Sequence, residues 1–147
     1  MERRPPRRPT QGRSLFVALF VAITWAASTF AVAGILAVVL DRDPVQTPAP
    51  PYVGLIGLGV AGIVVWLAIG LTARAATPWV GTAAAAAAVY LTIVVTALLG
   101  SFRLFAEQAT SPFVIVAAIL AAVAVVGTWF ALRRPPNVGL SEPPPPS

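Results

Sequence analysis

The sequence contains no cysteine, no histidine and no lysine. Without thiols there is no disulfide framework, no iron–sulfur cluster and no thiolate zinc site. Without imidazole, histidine-ligated haem and the usual zinc sites also drop out, along with any step that needs a side chain titrating near neutral pH. No cofactor and no resident metal are expected, and an enzyme is not the expected class. Charge is scarce as well. Asp, Glu and Arg together make 10% of the 147 residues, against about 25% in ordinary soluble chains. With 58% hydrophobic residues, the chain cannot cover itself with a polar surface, and lipid is the solvent that suits it.

The missing charge is concentrated. Four runs, Ser14 to Leu40, Tyr52 to Ala73, Trp79 to Gly100 and Phe113 to Leu132, hold no Asp, Glu, Lys or Arg at all. Each has the roughly 20 apolar residues needed to cross a hydrocarbon core about 30 Å thick. The expected fold is all-α: an integral membrane four-helix bundle occupying residues 14–132. An Arg/Pro-rich tail (1–13) and a Pro-rich tail (133–147) flank it, both too polar and proline-rich to build a core. A signal peptide ending at Ala31-Val32-Ala33 is the competing account of the first run. The apolar stretch continues to Leu40, which is too long for a signal core.

Proline is absent from the interior of every run. It stands at the entrances instead, in Pro51-Tyr52-Val53, Pro78-Trp79-Val80 and Pro112-Phe113-Val114, where a missing N–H costs nothing. Thr77 and Ser111 are placed to cap the two later helices. Broken helices of the transporter kind have no proline signature here. The third run is the least secure. Its eight Leu, Ile and Val residues supply roughly 2–5 kcal/mol toward insertion, and the alanines Ala83 to Ala88 add little. It is expected to depend on its neighbours.

The basic residues are all arginine and unevenly placed. Arg3, Arg4, Arg7, Arg8, Arg13, Arg74, Arg133 and Arg134 fall on one side of a four-span topology, and only Arg42 and Arg103 on the other. The positive-inside rule puts both ends of the chain in the cytoplasm, with the tail arginines serving as a topology signal or as headgroup contacts. The preference for arginine, alanine, valine and proline suits a high-GC bacterium of actinobacterial type, so a multi-pass protein of the plasma membrane is expected. Asp41-Arg42-Asp43 is read as a solvated helix end, because a cation site needs more oxygens than the nearby chain offers.

An ionisable group inside a span would be the default functional candidate; none exists. Proton-coupled pumps of the small multidrug resistance type also place four spans in a short chain, but they rely on an acid in the first span. The likeness ends at helix count. Four-span disulfide oxidases and quinone reductases require cysteine pairs and fail likewise. What remains is hydroxyl and indole: Thr24, Ser28 and Thr29 around Trp25 in the first run, and Tyr90, Thr92 and Thr96 in the third. Thr24, Ser28, Tyr90, Thr92 and Thr96 are candidates for a narrow polar pathway, against the plainer account that they bond between helices or to their own carbonyls.

Small residues give the clearest pattern. In the second run Gly54, Gly57, Ala61, Ala68 and Thr72 share one side, and Gly59, Gly62, Trp66, Gly70 and Ala73 the other, with Ile56, Val60, Ile63, Leu67 and Leu71 as a bulky stripe between. The third run has Gly81, Ala85, Ala88, Thr92 and Thr96 in line. Lipid tails are as apolar as leucine, so helices associate where small residues let backbones approach. Expected partners are membrane lipids and either a second copy or another membrane protein; nucleic acid is not among them. The leading expectation is a non-catalytic accessory, assembly or scaffolding component of the bacterial cell envelope. The alternative is a small permease or channel subunit.

Overall fold

In the computed structural model, which describes residues 11–133, the chain forms five helices: α1 (Gln11–Leu40), α2 (Pro51–Thr72), α3 (Trp79–Leu98), α4 (Phe102–Ala109) and α5 (Pro112–Arg133). No strand occurs among the described residues. Four of the helices, all but α4, are long and apolar enough to cross a membrane. The tails 1–10 and 134–147, and with them the expectation that they lack a core, lie outside the described residues.

The long helices form a ring in which α1 touches α2 and α5, and α3 touches the same two from the other side, with a weaker diagonal between α2 and α5. α3 also carries α4. The alanine-rich helix therefore has three neighbours, which fits its low capacity to insert alone. Ala61, Val65 and Ile69 of α2 meet Ala85 and Val89 of α3, Ala121 and Val125 of α5, and Ala18, Ala22 and Trp25 of α1 in one core. Its members are mostly small or β-branched, the composition that lets helices close in without a hydrophobic drive between them.

The two faces expected of α2 fare differently. Gly57, Ala61 and Thr72 are buried, and Ile56, Val60, Ile63, Leu67 and Leu71 all lie exposed in the stripe between. On the second face, Gly59, Gly62 and Gly70 have no atom within 4 Å of the place a Cβ would take, because α1 does not close over them. Gly54 also faces open space. In α3, Ala85 is buried, and Ala88 and Gly81 half-buried. The tightest crossing is at Gly81, where an added Cβ would fall on Thr72 Oγ1, with Thr72 Cγ2 at 2.9 Å and Cβ at 3.0 Å.

Helix ends follow local chemistry, with one correction. α1 stops at Asp41, whose positive φ of 47° turns the chain. The Arg42 and Asp41 N–H groups then return to the Ala37 and Val38 carbonyls at 3.1 and 3.4 Å, a Schellman closure with aspartate where glycine is usual. Pro51 opens α2 as expected. Thr77 does not cap α3: Pro78 itself is the cap residue, and its carbonyl accepts the Thr82 N–H at 2.8 Å. Pro78 is already in the helical region, so the chain enters α3 before a Thr77 hydroxyl could face the free N–H groups.

The Gly81–Thr72 contact is directly testable. Gly81→Ala should cost about 1–3 kcal/mol, the usual range for overpacking, measured as thermal stability in detergent. Thr72→Ala in the same chain should recover most of that loss, since the two crowded branch atoms are gone. A Gly81→Ala protein as stable as the parent would mean that the α2–α3 crossing is looser than described.

Candidate functional site

The feature not anticipated from sequence is α4, which lies between the third and fourth apolar runs. Ser101 caps it, accepting the Leu104 N–H at 3.0 Å. Leu104 and Gln108, four residues apart, turn inward, and Leu104 packs on Val53 and Ala97. Phe102 and Phe105 stack on another side with ring centres 5.7 Å apart. A serine followed by this spacing of apolar residues is an amphipathic helix signal, overlooked because the segment is short and carries Arg103 and Glu107.

α4 holds the connection between α1 and α2 in place. The Glu107 carboxylate accepts the Gln46 N–H at 2.7 Å, the Thr47 N–H at 3.0 Å and the Thr47 hydroxyl at 2.6 Å. Gln108 Nε2 donates to the Pro44 carbonyl at 3.2 Å. Partial burial raises the Glu107 carboxyl, but the bonds from Gln46 and Thr47 and the Arg42 charge outweigh it and hold the group below the ordinary glutamate range.

Tyr90 fixes the far end of α4. Its hydroxyl donates to the Ala109 carbonyl at 2.7 Å, satisfying one of the carbonyls that a helix end leaves free. Several other polar groups of the spans are also tied within the chain, whereas the buried Thr82 hydroxyl has no partner. Thr24, Thr29 and Thr128 donate to carbonyls four residues back, Phe20, Trp25 and Ala124. The buried Trp25 indole reaches across to the Ala117 carbonyl of α5 at 3.2 Å. At the end where the described chain starts and finishes, Trp66 donates to Leu15, and Trp129 and Arg133 both donate to Ala75. The Arg133 guanidinium lies 4.1 Å over the Trp129 ring. Arg3, Arg4, Arg7, Arg8 and Arg134 are outside the described residues; Arg13 falls in the first turn of α1.

The five pathway candidates are not assembled. Thr24 is exposed on the rim of the bundle, while Ser28 is half-buried on α1 and Tyr90 and Thr92 are half-buried on α3. Only Thr96 lines a cavity, one of about 400 Å³ at the α4 end. That cavity lies beneath the 41–50 connection, bounded by all five helices, and its lining includes the exposed Phe30 of α1 and Leu55 of α2. Its polar lining is Thr29, Thr96 and Gln108, of which Thr29 and Gln108 already donate elsewhere. Water needs two to four polar partners to stay in a cavity, and apart from these three side chains the wall offers few. Its volume suits a small apolar ligand, within the roughly 300–1,000 Å³ of known ligand pockets. Closed and empty it would cost roughly 10 kcal/mol at about 24 cal/mol per Å³, as much as a whole domain's stability. What this arrangement offers chemically is an almost wholly apolar wall.

No family model, curated protein or solved structure matches the chain.

The Glu107 clamp has a pH signature. A carboxyl held low when folded contributes stability that is fully present above the ordinary glutamate value. That stability is lost as the pH falls through the lower folded value. The parent should therefore melt lower at pH 3 than at pH 7. Glu107→Gln should melt lower than the parent at pH 7 and converge with it under acid. An identical pH dependence in both proteins would remove Glu107 from the account.

Proposed function

We propose that the protein is a non-catalytic accessory, assembly or scaffolding component of a bacterial plasma membrane, with both ends in the cytoplasm. The observation that carries this reading is the internal pairing of the larger polar groups of the spans, and of two α1 threonines. Thr24, Thr29, Trp25 and Tyr90 each donate to a backbone carbonyl of the same chain, and a single chain offers no continuous polar route. Ion-coupled transport needs a site whose occupancy shifts the balance between two conformations. The spans carry neither carboxylate nor imidazole for a proton to occupy. The orientation rests on eight arginines against two, and the bacterial source on composition.

Beyond Trp25 no residue of α1 is buried, and Phe30, Ile35, Val38 and Val39 are all more than 60% exposed. Such a helix has surface to give to lipid or to another membrane protein, as an assembly component requires.

Two measurements test this. Reporters fused after Arg134 or inserted at Ala75 should be cytoplasmic, and those at Thr47 or Gln108 external; an external C-terminus overturns the topology. In liposomes with an imposed proton or sodium gradient, the purified protein should accumulate none of a panel of small cations, amines and sugars. Gradient-driven uptake that disappears in Tyr90→Phe would replace the accessory role with that of a small permease or channel subunit.

A further inference from the structure

The cavity does not end at its own walls. Leu55 and Leu58 line both it and a groove that continues between α1 and α2, over Gly59 and Gly62, as far as Trp66. The two glycines lie three apart on one face of α2, and neither has an atom within 4 Å of a would-be Cβ. They form the floor of a trough as narrow as the side chains they omit, walled by Leu19 and Ile23 of α1 on one side and Ile63 on the other.

We propose that this seam is a binding site for one long, unbranched hydrocarbon chain of a membrane lipid, which enters sideways from the bilayer at the α4 end. Length agrees. From Val53 to Trp66 α2 rises about 20 Å at 1.5 Å per residue, enough for a tail that covers its own leaflet, about half of a 30 Å core. Volume agrees too. If a methylene takes about the room of a liquid water molecule, roughly 30 Å³, the upper chamber of about 400 Å³ holds about a dozen.

Other occupants do not fit. A transmembrane helix is about 10–12 Å across, so even 20 Å of one displaces roughly 1,500 Å³ or more, far beyond this chamber. Water and ions find few polar partners along the walls. The described chain begins and ends at the opposite end of the bundle, where Leu15, Trp66, Ala75, Trp129 and Arg133 meet, so its own tails start far from the chamber.

The test uses the full-length protein in phosphatidylethanolamine–phosphatidylglycerol vesicles doped with a phosphatidylglycerol carrying a photoreactive diazirine in mid-chain. Native mass spectrometry after mild detergent extraction counts retained lipid. Gly54→Leu and Gly59→Leu add carbons to open space inside the seam, whereas Gly127→Leu adds the same carbons to equally open space on α5, away from it. The parent and Gly127→Leu should retain one lipid, and the two seam variants should retain it about tenfold less, a change of about 1.4 kcal/mol. Cross-links in the parent should concentrate on α1 residues 29–33 and α2 residues 54–66. Equal retention in all four proteins, equal loss in all three variants, or cross-links as frequent on Ile119 and Val123 of α5 would each overturn the site. If one seam variant fails to fold, the other and the parent's cross-link map decide.

Discussion

Inside hydrocarbon there is no water to accept or donate a hydrogen bond, so every polar group must be satisfied by the chain itself. Most of this structure is arranged around that constraint, the buried Thr82 hydroxyl being the exception among the described residues. Helices pair the backbone, the Thr24, Thr29 and Thr128 hydroxyls return to carbonyls four residues back, and the larger polar side chains are sent to neighbouring elements. Trp25 goes to α5, Tyr90 to the end of α4, and Trp129 with Arg133 to the α2–α3 connection. The resulting bonds join elements far apart in sequence. What begins as avoidance of an unpaired donor becomes the set of ties that orders the bundle.

With the polar groups spent this way, packing falls to size. Ala61, Ala85, Ala121 and Ala18 occupy the centre, with Val65, Val89 and Val125 filling between them. Small residues lower the distance between axes and so increase dispersion contact over the whole crossing. The cost falls on α1. Its fully buried residues stop at Trp25, and the further fifteen positions to Leu40 are half-buried or exposed. α4 and the Glu107 clamp hold the α1–α2 connection over the gap that results.

Much of this was legible from residues alone, and the rest failed for identifiable reasons. The four spans follow from uncharged length, and the bulky stripe Ile56, Val60, Ile63, Leu67 and Leu71 of α2 is exposed because a 100° rotation per residue separates it from the small faces. Periodicity states which residues share a face. It does not state which neighbour covers that face, so Gly57 and Gly59 read alike although only Gly57 meets another helix. α4 was missed because eight residues with a mixed composition fall below the length at which a periodic signal separates from loop. The partner of Tyr90 was hidden for the same reason, since its acceptor belongs to α4. Thr77 shows the opposite failure: a plausible capping residue was displaced by the proline beside it, which took the cap position itself.

The close crossing of Gly81 on Thr72 also bears on how the protein is made. α3 has too little apolar side chain to leave an aqueous translocation channel readily by itself, while α2, which precedes it by a six-residue connection, has plenty. Gly81 and Thr72 sit at the two ends of that connection, so the pair can zip from the turn as soon as both have emerged from the ribosome. The energetic unit of insertion is then a helical hairpin, in which α2 carries α3 across and the alanine face is covered before it ever meets lipid. A glycine that looks like a detail of packing thus helps to set the order of biogenesis.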